Sequence, residues 1–217
     1  MKKVIVMMVA LFACSASYAQ GEIGKWNLHV QAGVNFNDWG VSESGNDTGL
    51  GVNYKDESSL AGGILAGAEI GYRASKLFQP SVGLMYQTAN VDVNNTFGSK
   101  KETSTVKSSY LAVPILANFY VANGLALKIG VQPAFLLSSK YKTETLEAET
   151  KDGMNSVDFQ IPLGISYEFP FGLMFDARIY QSVTKVFKKE AKGNLGMNAE
   201  EATNQGFMLT VGYKFDL

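Results

Sequence analysis

Every second residue among the last eleven is apolar, whereas the residues between them are mainly small or polar. We call each of these two alternating sets a parity, because they lie on opposite faces of a strand. The apolar parity holds Phe207, Leu209, Val211, Tyr213, Phe215 and Leu217, and the opposite parity includes Thr210, Gly212, Lys214 and Asp216. A period of two is the pattern of a β-strand that has one apolar face. An apolar, aromatic-rich strand at the end of a chain is typical of the closing strand of an outer-membrane β-barrel.

The chain begins with the pattern of an export signal. The basic pair Lys2–Lys3 precedes an uncharged apolar run, Val4–Ala13, which is too short to span a bilayer as a helix. The small-x-small pattern Ser17–Ala19 predicts cleavage before Gln20. We therefore predict a signal peptide over 1–19 and a single barrel domain over 20–217.

A second interpretation of the same segment is a lipoprotein signal. Leu11–Cys14 would then be the cleavage box, and Cys14, which is the only cysteine of the chain, would carry the lipid. Phe12 occupies a position where such a box requires a small residue. If cleavage follows Ala19 instead, the mature protein contains no cysteine, and disulfide and thiol chemistry are both excluded.

Composition favours a barrel over a helical membrane protein. Hydrophobic residues make up 46% of the chain, yet no apolar run of about 18 residues follows the signal. The ten tyrosines and thirteen phenylalanines suit aromatic girdles at the membrane interfaces. A formal charge of −1 gives no electrostatic reason to expect nucleic acid as a partner. Outer-membrane lipid is the expected surrounding.

Eight alternating stretches follow one another along the chain. We predict strands over about 26–36, 60–72, 77–91, 109–120, 125–137, 157–169 and 173–186, with the C-terminal stretch as the eighth. Three short turns alternate with four long polar connections, Asn37–Ser59, Asp92–Lys107, Lys140–Ser156 and Lys188–Gln205. This rhythm predicts an all-β, eight-stranded antiparallel up-and-down transmembrane β-barrel with short periplasmic turns and four long extracellular loops.

The polar parity of these strands distinguishes a membrane barrel from a soluble one. It collects charged residues that would each cost several kcal/mol if they faced lipid. We therefore predict that they line the lumen and satisfy one another there as a structural polar network, namely His29, Glu69, Lys128, Glu168, Asp176 and Arg178. An eight-stranded barrel is filled by its own side chains, which argues against a diffusion pore.

His29 is the only histidine and the only candidate for a catalytic base. A lipid-modifying barrel enzyme would need a histidine, a nucleophile and an acid where an acyl ester could reach them. His29 instead shares the lumen parity of its strand, so we expect an interior histidine with its hydrogen bonds satisfied. No recognisable enzyme or metal motif appears, and we predict no catalytic residue, no cofactor and no metal site.

Two local patterns have a functional and a structural interpretation. Asn90, Asp92 and Asn94 resemble the start of a calcium loop, but Asn95 and Lys101 replace its glycine and its bidentate glutamate, so we expect a solvated strand extension. The repeat Gly63, Gly67 and Gly71 falls on the lumen parity, where we expect it to leave room for bulky interior neighbours.

The first predicted loop is acidic, with Asp38, Glu43, Asp47, Asp56 and Glu57 against only Lys55. Trp39, near the start of this loop, is expected near the lipid boundary. The charge has two interpretations, because acidic loops usually serve solubility but also form partner surfaces.

The run Tyr110–Phe119, YLAVPILANF, resembles the Tyr-Leu-Glu-Ile-Pro-Leu-Leu segment of the PorT-like outer-membrane β-barrel family. Ala112 stands where that family usually has Glu. Further matches are Gly130–Pro133, Gly164–Phe169 and Asp176–Tyr180. The resemblance implies an eight-stranded barrel with long outer loops, and one branch of the family is associated with a protein secretion and maturation system.

These observations leave three function classes. The leading one is a non-enzymatic, monomeric barrel with a plugged lumen and a structural or surface-interaction role in the outer membrane, which it reaches after export across the inner membrane. The second is an accessory component of a secretion and maturation system, and the third is a lipid-modifying enzyme. The expected protein partner is accordingly either extracellular or part of a secretion machinery.

Overall fold

The computed structural model describes residues 22–40, 42–47, 52–97, 100–142, 147–188 and 202–217. The predicted signal peptide, including Cys14, lies outside these residues. Eleven strands form in the described part of the chain: β1 (Trp26–Asp38), β2 (Ser42–Asp47), β3 (Val52–Tyr72), β4 (Phe78–Phe97), β5 (Lys100–Ala112), β6 (Ile115–Ala122), β7 (Leu125–Lys142), β8 (Glu147–Glu149), β9 (Val157–Glu168), β10 (Leu173–Ser182) and β11 (Gln205–Asp216). No helix among those residues is long and apolar enough to cross a bilayer.

The strands close into a barrel by antiparallel pairing alone. β1 pairs with β11 on one side and with β3 on the other, so the first and last strands of the chain meet. The ring continues through β4, then β5 and β6 together, β7, β9 and β10, which pairs with β11. The all-β antiparallel barrel predicted from the sequence is confirmed.

Two strands, β5 and β6, lie one after the other between β4 and β7 in the barrel wall. The prediction of a single strand over 109–120 was wrong, because the chain breaks between β5 and β6 at Val113–Pro114. Proline has no N–H to donate to a strand ladder. The neighbouring groups still pair, since Val113 N–H donates to the Pro133 carbonyl and Gly83 N–H donates to the Pro114 carbonyl, both at 2.9 Å. The break therefore leaves the wall closed.

The short turns at one end of the barrel depend on glycine. Gly124 and Gly172 have φ of +74° and +91°, a region that residues with a Cβ rarely adopt. The first lies between β6 and β7, and the second lies between β9 and β10. The remaining turn, between β3 and β4, is formed by residues 73–77.

The outer face of the barrel is an apolar belt between two sets of aromatic rings. At the turn end, Trp26 packs on Tyr72 with ring centroids 5.0 Å apart, and at the opposite end Phe36 stacks on Phe207 at 4.8 Å. Trp26 and Phe36 lie about ten residue steps apart on β1, which at about 3.3 Å per residue and a tilt of about 40° corresponds to about 25 Å of height. This is the height of the lipid-facing band of an outer-membrane barrel.

Above this belt the polarity of the two faces is inverted. On β4 the outward residues change from Val82, Leu84 and Tyr86 to Thr88, Asn90 and Asp92, while the inward residues change from Gln79 and Ser81 to Ala89, Val91 and Val93. The upper part of the strand therefore has a polar exterior and an apolar interior, as in a soluble β-sheet. The period of two continues along the strand, but the outward residues are now polar and the inward residues apolar.

This inversion explains why the strands are longer than predicted on one side. β3, β4 and β7 have 21, 20 and 18 residues, whereas β9, β10 and β11 have 12, 10 and 12. The expected loop Asp92–Lys107 is instead the upper hairpin of β4 and β5, and the expected loop Asn37–Ser59 contains β2 and the start of β3. We call residues 52–60, 88–97, 100–109 and 138–142 of β3, β4, β5 and β7 the extended wall.

Candidate functional site: the barrel interior and the extended wall

The lower interior is occupied by a network of charged side chains centred on Arg178. Its guanidinium donates to Asp176 Oδ1 at 2.8 Å through Nε and to Glu69 Oε1 at 2.6 Å through Nη2. Asp176 also pairs with Lys128, and Glu69 accepts a hydrogen bond of 2.7 Å from the Gln31 amide. Inward parity brings these residues together from β1, β3, β7 and β10. The geometry assigns two of the three expected carboxylates to Arg178.

The third expected carboxylate, Glu168, has a different partner. It pairs with Lys214 and accepts a hydrogen bond of 3.2 Å from the Tyr120 hydroxyl. The Arg73 guanidinium lies 3.6 Å from the centre of the Tyr120 ring, in a cation–π contact. This second cluster lies near the turn end, where Arg73 also donates to the Lys76 carbonyl at 2.7 Å.

The buried charges among the described residues balance. The cations are Arg73, Lys128, Arg178 and Lys214, and the anions are Glu69, Asp158, Glu168 and Asp176. Desolvation opposes such a network, so its pairs are weak evidence for net stability, but removing a single member leaves an uncompensated buried charge. Each of these charged side chains contacts at least one other side chain of the interior.

His29 lies inside the barrel, as its parity predicts, and only 4% of it is exposed. Neither of its ring nitrogens has a hydrogen-bond partner among the described residues, so the expectation of a satisfied histidine stays a prediction. The ring borders a small polar cavity of about 10 Å³, which it shares with Asn118 and Lys214. That volume is about the size of one water probe, and a water is the natural partner for an imidazole there.

A layer of three buried glutamines lies above the charged network. Gln132 Nε2 donates to Gln160 Oε1 at 2.6 Å and to Gln87 Oε1 at 3.2 Å. The Gln160 amide donates to Asp158 Oδ2 at 2.9 Å, and Asn204 donates to the same oxygen at 3.0 Å. These bonds join β4, β7 and β9 inside the barrel, and the three glutamine side chains are fully buried.

The top of the interior is closed by apolar side chains. Trp39 is 4% exposed and packs edge-on against Phe187, with ring centroids 5.1 Å apart. The prediction that Trp39 lies near the lipid boundary was therefore wrong. The cluster also contains Met154, Val186 and Ala202 from the connections, packed against Val91, Val93 and Val106 of the extended wall. Burial of these apolar side chains stabilises the packing of the connections against the top of the barrel.

The outward face of the extended wall is polar and internally hydrogen-bonded. Thr105 donates to Asp92 Oδ1 at 2.7 Å, and Thr103 donates to Asn94 Oδ1 at 2.8 Å. Two of the three residues considered as calcium ligands, Asp92 and Asn94, thus accept cross-strand hydrogen bonds through a side-chain oxygen. Among the described residues no cluster of His, Cys, Asp and Glu fits a metal ion.

An exposed ion pair joins the extended wall to β8. Lys140 Nζ lies 2.9 Å from Glu147 Oε1. This hydrogen bond and the positive charge of Lys140 lower the pKa of Glu147. The same hydrogen bond and the negative charge of Glu147 raise the pKa of Lys140. The pair stands in water, where such contacts contribute little to stability.

The sequence-based network omitted several interior residues. The network is contacted directly by Lys214, Gln31 and Tyr120. Arg73 packs on Tyr120, and Thr210 donates to Gln31 at 2.8 Å. Lys214 and Thr210 lie on the inward parity of β11, which is the signal that could have identified them. The predicted role of the glycine repeat agrees with the geometry at Gly63 and Gly71, where a Cβ would come within 3 Å of the interior side chains of Asn35 and Gln79. At Gly67 the nearest atoms belong instead to the backbone of β4.

Solved outer-membrane proteins share this architecture at low sequence identity. Neisserial surface protein A is 14% identical with a TM-score of 0.51, over 87% of this chain and 97% of that one. The OprG protein of Pseudomonas aeruginosa is 14% identical with a TM-score of 0.45, over 89% and 97%. The attachment invasion locus protein Ail of Yersinia pestis is 11% identical with a TM-score of 0.44, over 88% and 99%. No curated protein matches the chain significantly.

The model of one protein family matches most of the sequence. Its description is outer membrane protein beta-barrel domain, and the match covers residues 18–188. That range contains the charged network except for Lys214 on β11, the extended wall, and the upper apolar cluster except for Ala202. The chain therefore belongs to the outer membrane protein beta-barrel domain family and is an integral protein of the outer membrane.

Proposed function

We propose that the protein is a non-enzymatic barrel with a plugged lumen, whose extended wall presents a binding surface for a protein partner outside the cell. The observation that carries this proposal is the inversion of polarity on β4, where Thr88, Asn90 and Asp92 face outward above the lipid belt. A polar face that continues the barrel without a linker is suited to display. β2 and β8 form the edges of this wall and offer strand edges for β-augmentation.

The interior supports a closed barrel rather than a pore or an enzyme. Charged, amide and apolar layers follow one another from the turn end to the top, and each contains fully buried side chains. His29 lies inside this packing, where an acyl ester in the surrounding lipid would not reach it. A lipid-modifying role thus has no support from the position of the only histidine.

The orientation has a direct test with two single-cysteine variants. Lys142→Cys lies on the extended wall and Lys76→Cys in the turn before β4, and both side chains are exposed. In the proposed orientation, a membrane-impermeant maleimide labels position 142 on intact cells, whereas position 76 reacts only after the outer membrane has been permeabilised. Labelling of position 76 alone on intact cells would invert the orientation and remove the proposed display function.

A role as an accessory of a secretion and maturation system is the second candidate, and the PorT-like resemblance favours it. The residues of that resemblance have clear packing roles here, since Tyr110 and Pro114 are buried at the junction of β5 and β6. A functional link would require a partner. Crosslinking from Lys142→Cys in outer membranes, followed by identification of a stoichiometric secretion component, would support this candidate, and its absence would favour a free-standing barrel.

A further inference from the structure

The outer face of the barrel has a lateral groove where the apolar belt meets the extended wall. Its volume is about 510 Å³. The lower part is lined by Val34, Phe36, Ile64 and Tyr86, and the upper part by Thr88, Asn90, Lys107, Ser109, Ser138 and Lys140. The lining therefore changes from apolar to polar and cationic along the direction of the membrane normal.

Two β-bulges flank this groove. β3 has one extra residue opposite β4 between Leu60 and Leu65, and β7 has one extra residue opposite β5, at the step between Ser109 and Tyr110. A bulge bends its strand and increases the local twist. Gly62 lies within the first of these irregular stretches and has no side chain to fill the space. The wall is thus indented between the two bulges.

The two cations of the groove lie opposite each other on neighbouring strands. Lys107 of β5 lies directly opposite Lys140 of β7 in the antiparallel register. Like charges in this arrangement repel and destabilise the sheet. Glu147 neutralises Lys140 in part. Lys107 forms no direct ion pair among the described residues, although its charge also acts on Glu147. None of the described residues that line the groove is acidic, although Glu147 and Glu149 of β8 lie beside Lys140.

We propose that this groove binds a phosphorylated, multiply acylated lipid of the outer leaflet, with the chemistry of lipid A. An acyl chain lies on the apolar floor, and a phosphate lies between Lys107 and Lys140, close to the hydroxyls of Ser109 and Ser138. The anion removes the repulsion between the two lysines. The proposal rests on the orientation argued above, because it requires the extended wall to be at the outer surface.

The order of the lining residues favours a lipid over a protein segment. Val34 and Ile64 belong to the belt that faces hydrocarbon, and the lysines begin where the outward face turns polar, beyond Tyr86. A ligand that fills both parts must be apolar at one end and anionic at the other. A lipid with a phosphate at its interface has this profile in the orientation that the membrane imposes.

The test is native mass spectrometry of the purified, folded barrel, titrated in detergent with bisphosphorylated lipid A. We expect retention of one lipid by the wild type and a loss on the order of fivefold in affinity for each lysine removed, in Lys107→Gln and Lys140→Gln. Gly62→Leu should also reduce binding, because a Cβ there is 3.7 Å from the nearest atom, on the Phe36 ring, so that a side chain enters the groove without displacing the backbone. Lys142→Gln, on the same face of β7 but outside the lining, is the matched control.

Three results would overturn the proposal. The first is equal retention of lipid A by the wild type and the Lys107→Gln/Lys140→Gln double variant. The others are retention by the wild type of dephosphorylated lipid A, or of phosphatidylglycerol, as strong as its retention of bisphosphorylated lipid A, the last of which would indicate an unselective anionic surface. Unchanged heat-modifiable migration of each variant shows that the barrel has folded. The labelling of positions 142 and 76 is independent of lipid binding. If position 142 is labelled on intact cells and lipid A fails to bind, only the lipid proposal falls, and the display function stands.

Discussion

Arg178 on β10 donates a hydrogen bond of 2.6 Å to Glu69 on β3, and the two strands are separated in the sheet by β1 and β11. The contact therefore crosses the lumen and ties distant parts of the wall to each other. Because Arg178 also binds Asp176, one guanidinium serves two carboxylates that lipid would not tolerate. The interior thus depends on this single side chain for a large part of its charge balance.

Replacing Arg178 by Met should destabilise the barrel by roughly 3 to 5 kcal/mol, because Glu69 and Asp176 remain buried and lose their shared partner. Urea unfolding in lipid vesicles, followed by the heat-modifiable gel shift, measures this change. Adding Glu69→Gln to the same variant should restore part of the lost stability, since it removes one unpaired charge. A single variant with the wild-type urea midpoint would contradict the role assigned to Arg178.

Gly63 and Gly62 form a matched pair for testing the close packing at the β3 bulge. A Cβ on Gly63 would lie 2.4 Å from Asn35 Oδ1 and 2.6 Å from the Thr88 carbonyl oxygen, whereas a Cβ on Gly62 would be 3.7 Å from its nearest neighbour. Gly63→Ala should therefore cost about 1 to 3 kcal/mol through overpacking. Gly62→Ala should leave the urea midpoint nearly unchanged. Equal midpoints for the two variants would show that the wall is looser than described.

Arginine on the apolar belt tests which face meets lipid. Val131 and Leu163 point outward and are 50% and 52% exposed. Val131→Arg and Leu163→Arg should each destabilise the inserted barrel by roughly 2 to 4 kcal/mol if they lie near the midplane. Val183→Arg, at the end of the belt beyond β10, should cost at most about 1 kcal/mol. Unaltered folding of the first two variants in vesicles would count against the orientation of the faces.

The two tryptophans should respond differently to lipid. Trp26 is 52% exposed on the outer face, whereas Trp39 is 4% exposed inside the barrel. In vesicles of brominated lipid, Trp39→Phe, which retains Trp26, should show strong fluorescence quenching. Trp26→Phe, which retains Trp39, should show much weaker quenching because the barrel wall separates the indole from the bromines. Comparable quenching in both would place Trp39 in lipid.

The filled interior predicts that the protein does not conduct ions. Purified barrel added to planar lipid bilayers should give no stable conductance steps at voltages where a porin from the same preparation method conducts. The glutamine layer around Gln132 should keep the lumen closed even when the connections above it are trimmed by protease. Reproducible steps from the intact protein would refute the plugged lumen.

Strand parity carried most of what could be predicted. It placed His29, Glu69, Lys128, Glu168, Asp176 and Arg178 on the lumen side, and all six are inside. Parity says nothing about which charges meet, because pairing depends on register and barrel stagger. Glu168 thus meets Lys214 rather than Arg178, a choice that no local pattern records.

The extended wall was missed for a physical reason. If every strand is assumed to face lipid, a stretch with polar outward residues is interpreted as a loop. Asp92–Lys107 was therefore predicted to be a connection. Its inward valines, Val93 and Val106, keep the period of two and could have revealed the strands. Trp39 required more, since its burial depends on contact with Phe187, which is far away in the sequence.

The upper half of β4 has the chemistry of a water-soluble sheet and the lower half that of a membrane protein, yet one uninterrupted strand contains both. A force applied at the upper end of β4 is consequently transmitted along a continuous strand into the part of the barrel that spans the membrane. A partner that binds to the extended wall is therefore coupled mechanically to the part of the barrel that lies in the membrane.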